Sequence, residues 1–65
     1  MNVRLETFKG NAGVFMDLRL PSGYWEVRRR NYAGEVVDKM VFDTKAFADE
    51  CFDDFVRDAL MDEES

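Results

Sequence analysis

The chain contains no histidine, one cysteine and one proline. Without histidine, Ser–His and Cys–His nucleophilic catalysis lack their general base, and zinc lacks a plausible ligand set. Cys51 has no second thiol to pair with, so no internal disulfide staples the fold. No apolar run approaches the roughly 20 residues of a membrane-spanning helix. Met1 to Glu6 never form the apolar stretch of a secretory leader. Gly10-Asn11-Ala12-Gly13 divides two strand-like runs and opens no helix, so it does not make a phosphate-binding loop. These absences lead to the expectation of a cytoplasmic, non-enzymatic protein with no cofactor, no metal and no membrane partner.

Sixty-five residues make one small domain, and 46% of them are hydrophobic, including six Phe, one Trp and two Tyr. At this length a single core is close to the minimum that can sustain a fold, so aromatic packing must carry the stability. Dimerisation would bury further area.

The most regular stretch is Thr44 to Met61. At 100° per residue, Phe47, Ala48, Cys51, Phe52, Phe55, Val56, Ala59 and Leu60 fall on one broad arc. Asp49, Glu50, Asp53, Asp54 and Arg57 fill the opposite arc, with Asp58 at its edge. Asp43 is placed to cap the helix, and Phe42 and Phe47 to form a hydrophobic staple. Asp62 would turn back into the apolar arc, so the helix is expected to stop before it. Residues 1–61 then form the domain and 62–65 a disordered acidic tail. Cys51 lies on the apolar arc and reads as a core residue rather than a reactive thiol.

The preceding residues read as four strands. Val3–Phe8 alternates, and the turn at Lys9–Gly13 follows. In Val14–Leu20, the residues Val14, Met16, Leu18 and Leu20 share one face, while Phe15, Asp17 and Arg19 share the other. Pro21-Ser22-Gly23 leads into Tyr24–Tyr32, and Asn31–Gly34 turns into Glu35–Phe42. A two-residue loop at Ser22-Gly23 would set Leu18 across from Val27 and Leu20 across from Trp25. It would also pair Arg19 with Glu26, Asp17 with Arg28, and Phe15 with Arg30 on the other face. A three-residue loop would place Glu26 and Arg28 beside Leu18 and Met16, at a cost of several kcal/mol, and is disfavoured. The last strand has mixed parity, which calls for a bulge or for partial cover on both faces. The fold expected is α+β, a four-stranded antiparallel meander with a C-terminal helix on one face. Val3, Leu5, Val14, Met16, Leu18, Leu20, Trp25 and Val27 should meet the helix.

The formal net charge of −5 is unevenly spread. Residues 1–43 carry seven basic against six acidic side chains, or +1, whereas residues 44–65 carry two against eight, or −6. Like charges at i,i+4 disfavour a helix, and acids near its C-terminus oppose the macrodipole, so the acidic arc calls for a reason. One reason is docking: Asp49, Glu50, Asp53, Asp54 and Asp58 would meet a basic surface on a nucleic-acid-handling protein, with steered association. The other is solubility. On the uncovered sheet face, Arg4, Arg19, Arg28 and Arg30 interleave with Phe8, Phe15, Tyr24 and Tyr32. Such a platform suits stacked single strands, although the net charge opposes phosphate binding. It equally suits a homodimer interface.

The β-β-β-β-α order, with Tyr24-Trp25-Glu26-Val27-Arg28 in the third strand, resembles the PC4/p15 single-strand DNA-binding module. That likeness implies binding on the sheet. The small acidic chain, with Asp49 to Asp58 on a helix, is similar in kind to phage-encoded inhibitors such as anti-CRISPRs. That likeness implies a non-catalytic inhibitor that mimics nucleic acid.

Overall fold

A computed structural model describes residues 2–64, and the side chains of residues 4–61. Four strands, β1 (Asn2–Thr7), β2 (Gly13–Arg19), β3 (Tyr24–Arg30) and β4 (Val36–Phe42), precede one helix, α1 (Lys45–Glu64). The strands form one antiparallel sheet in the order β1-β2-β3-β4, and α1 packs on β2, β3 and β4. The fold is α+β, as the strand and helix periodicities predict.

Alternation in β2 and β3 decides which face the helix covers. Met16 stands opposite Val27, and Leu18 opposite Trp25. Val14, Met16, Val27, Ala48 and Phe52 are the fully buried apolar residues, with Phe8, Trp25, Phe42, Cys51, Phe55 and Val56 packed around them. Each large side chain sealed in this way is worth about 1.5–3 kcal/mol.

The β2–β3 register differs from the expected one by two residues. Arg19 faces Tyr24 and Asp17 faces Glu26 across a four-residue connection, Leu20–Gly23, in which the Leu20–Pro21 peptide is cis. The Gly23 amide donates to the Arg19 carbonyl at 2.8 Å and closes that connection. A slip of two keeps every side chain on its face. The expected partners therefore still meet, as diagonals instead of direct pairs. Leu20 leaves the strand, is 68% exposed and takes no part in the core.

β1 shows its other face. Arg4 lies across from Met16 and Leu5 across from Phe15, with a register shift between Asn2 and Arg4. Arg4 therefore faces the helix and Leu5 is half exposed on the far side, the reverse of the expected arrangement. The side chain of Val3, also expected inside, lies outside the described residues. The odd parity of β4 resolves as a bulge, since Arg29 pairs with Asp38 and Arg30 with Val36, skipping Val37. β3 ends at Arg30, and Tyr32 belongs to the following turn.

α1 begins one residue later than Asp43 would set it, so Thr44 holds the capping position and its carbonyl accepts from the Ala48 amide. At the far end, helical backbone continues through Glu64, past the expected stop at Asp62. No glycine or proline follows Met61, so no local signal ends the helix there. Ser65, the last residue of the expected tail, lies outside the described residues.

The β1–β2 and β3–β4 turns meet at one end of the sheet, where the Asn11 amide donates to the Tyr32 carbonyl at 3.0 Å. Gly10 there has φ +62°, and an added Cβ would stand 2.7 Å from the Tyr32 ring. Gly23 has φ +77° with nothing near it. Gly23→Ala is expected to cost about 1 kcal/mol of left-handed backbone strain. Gly10→Ala should cost more than Gly23→Ala in urea unfolding, because Tyr32 must also move; equal losses would contradict this packing.

Candidate protein-docking surface

The acidic side chains of α1 divide into two rows with different surroundings. Toward β1, Arg4 forks between Asp49 and Asp53, Nη1 to Asp49 Oδ1 and Nη2 to Asp53 Oδ1, both at 3.1 Å. Its guanidinium carbon lies 4.1 Å from the centre of the Phe52 ring. Lys45 Nζ adds a second cation on Asp49 Oδ2 at 2.9 Å. The Lys45 hydrogen bond is the main influence holding the Asp49 carboxyl below its usual range, followed by Arg4, while desolvation opposes both. Arg4, Asp49 and Asp53 thus fasten the helix to the first strand. At 100° per residue Asp49 falls between Val56 and Leu60, on the apolar arc and not opposite it, and this is the available signal that an inward cation is needed.

Toward β4 the surroundings are different. Glu50, Asp54 and Asp58 rise along one rim of a groove of about 420 Å³. Its floor is Met40 and Phe42 from β4 with Phe47, Cys51 and Phe55 from α1. Glu50 and Asp58 form no ion pair among the described residues, and Asp54 reaches only Arg57, one turn along, at 3.5 Å. Phe47 is 60% exposed and Met40 48%, so the groove is lined by apolar surface that the fold leaves uncovered. Burial, then the charges of Asp54 and Asp38, push the Cys51 thiol above its ordinary value, consistent with a negative potential at the floor.

The outer face of the sheet has no helix over it, yet its centre is sealed. Asp17 and Glu26, direct neighbours across β2 and β3, are 9% and 5% exposed. Arg28 Nη2 lies 2.6 Å from Asp17 Oδ2 and its Nε 3.3 Å from Glu26 Oε1. Arg19 Nη2 reaches Glu26 Oε1 at 3.1 Å. Arg30 stacks on Phe15, 4.8 Å from its ring centre. Phe15, Arg19, Tyr24, Arg28 and Arg30 therefore do share this face, but two of the three arginines are matched by carboxylates. Arg4 is not on it, because it faces the helix. Tyr32 sits over Gly10 in a turn, and Phe8 packs against the core. Leu5, Val36 and Val41 remain half exposed at the two edges of this face, on either side of the charged strip.

The Arg19 hydrogen bond is the main influence lowering the Glu26 carboxyl, against the opposing effect of burial. A depressed carboxylate stabilises the fold above its unfolded value, about pH 4, and that stability is lost as pH falls through the folded value. With Asp49 depressed as well, the urea midpoint should hold between pH 7 and 5 and then fall below about pH 4. Glu26→Gln should flatten that fall, and a midpoint that rises in acid would contradict the assignment.

Among the described residues, no group of three or more His, Cys, Asp or Glu side chains is placed to hold a metal ion. No helix is long and apolar enough to cross a membrane. No protein-family profile, curated protein or solved structure matches the chain.

Proposed function

We propose that the protein is a non-catalytic binding module that docks the β4-side acidic flank of α1 on a basic surface of a nucleic-acid-handling protein. On this reading it acts as an inhibitor by occupying the place of a polyanion. The observation that carries the reading is the exposed row Glu50, Asp54 and Asp58. Among the described residues these acids have no ion-pair partner beyond Arg57, whereas Asp49 and Asp53 on the other flank are held by Arg4. Like charges four residues apart oppose the helix that bears them, so the row works against α1 rather than for it. On the outer face Arg19 and Arg28 are engaged with Asp17 and Glu26, which leaves less positive potential for phosphates than the sequence suggests.

The test follows from the division of the acids. Glu50→Lys with Asp58→Lys reverses two charges that the fold does not use, and a lysine at position 58 suits the C-terminal half of a helix. Immobilised wild-type protein should retain nucleic-acid-handling proteins from a cell lysate at low salt, releasing them to competing duplex DNA. The double variant should lose them while melting at an unchanged temperature. Retention indifferent to the reversal would contradict the proposal.

A further inference from the structure

We infer that the groove between α1 and β4 receives a basic amphipathic helix of the partner protein, seated beside α1 as a second helix over the sheet. This inference rests on the acidic-flank reading and specifies what sits there.

An α-helix with its side chains is about 10–12 Å across, whereas four strands spaced about 4.8 Å apart present a wider face. One helix cannot cover it. On the β1 side, Arg4 bridges to Asp49 and Asp53 and closes the gap. On the β4 side Phe42, Cys51 and Phe55 pack against the core, yet Met40 and Phe47 stay exposed along the space that remains beside α1. Phe47, Glu50, Cys51, Asp54, Phe55 and Asp58 recur at three- and four-residue steps, so the groove follows α1 for about three turns, roughly 16 Å. An occupant of that length needs an apolar stripe against Met40, Phe47 and Phe55, with Lys or Arg along the margin that meets Glu50, Asp54 and Asp58. A second copy of this chain does not supply it, because residues 44–65 carry −6. A nucleic acid would meet the same repulsion and find no use for the apolar floor. A strand added to the edge of β4 would engage backbone and leave the carboxylates unmatched.

The probe is a labelled peptide of roughly 14 residues, Leu at helical spacing and Lys on the flanks, with a Leu/Glu counterpart, titrated against the whole protein. Cys51, on the groove floor, reports occupancy through its rate of alkylation by iodoacetamide. The Leu/Lys peptide should bind and slow that alkylation. Its dissociation constant should rise about tenfold or more in Glu50→Lys/Asp58→Lys, and likewise in Met40→Glu. Phe47→Glu, at an exposed position in the first turn where an acid suits the helix, guards against a Met40 variant that fails to fold. Loss of binding on acid reversal, with Met40→Glu, Phe47→Glu and Cys51 alkylation all without effect, would overturn the groove seat and leave the acidic-flank reading standing. Binding indifferent to acid reversal would overturn both. No binding, or equal binding of the Leu/Glu peptide, would overturn the groove seat.

Discussion

Phe52→Ala is expected to leave little folded protein at room temperature. Phe52 is 2% exposed, sits at the centre of the helix–sheet contact, and carries the Arg4 guanidinium on its ring face. Truncating a buried Phe costs about 3–5 kcal/mol in lost transfer energy and residual cavity. Loss of the cation–ring contact adds about 0.5–1 kcal/mol. A 65-residue domain has a total stability of only about 3–10 kcal/mol. The melting temperature by circular dichroism should therefore fall by about 15 °C or more, since each kcal/mol shifts a domain of this size by about 4–8 °C. Phe47→Ala is the internal control. Phe47 lies on the same helix but is 60% exposed, and its loss should move the melt by only a few degrees. Similar losses at the two positions would mean that α1 is rotated from the orientation described.

Arg28→Met should be the second most damaging change, for an electrostatic reason. Asp17 and Glu26 stand directly opposite each other and nearly out of solvent, and Arg28 touches both. Methionine keeps the apolar stem and removes the charge, leaving the two carboxylates with Arg19 and the more distant charge of Lys39. Removing one partner of a buried pair costs about 3–5 kcal/mol. The Arg28 side chain is 23% exposed, so about 2–3 kcal/mol at neutral pH is the expected loss. Its signature is the pH dependence. Wild type loses stability on acidification, whereas the variant, in which Glu26 has lost the lowering influence of Arg28, should lose less and so narrow its deficit. Asp17→Asn added to Arg28→Met should recover stability at pH 7. A deficit that is the same at pH 7 and pH 4 would show that the loss is one of packing.

The parts of this structure legible in the sequence are those in which parity alone decides. Val14, Met16 and Val27 lie under the helix in any register that preserves faces, and the two-residue slip of the hairpin preserves them. The slip itself was hidden because Arg19, Arg28 and Arg30 are long enough to reach the same partners diagonally as directly. In β1 the pattern misleads, because Val3 and Leu5 alternate with Arg4 and Glu6 and alternation alone places arginine outside. The inward position of Arg4 becomes physical only when Asp49 and Asp53 stand above it, a contact across 45 residues or more. The acidic row was visible on the helical wheel. Its division into a structural flank and an unpartnered one was not, because that depends on which strand lies beside each flank. The groove was equally hidden, since its floor combines Met40 and Phe42 with helix residues that no local pattern links to them.

The central claim is that the flank of α1 beside β4, and not the outer face of the sheet, is where this protein meets its partner. Backbone amide shift mapping of the whole protein, titrated with the Leu/Lys peptide, tests it residue by residue. Shifts concentrated on Met40, Phe42, Phe47, Glu50, Cys51, Asp54 and Asp58 are the predicted result. Shifts centred on Phe15, Arg19, Tyr24, Arg28 and Arg30, with α1 unmoved, would contradict it.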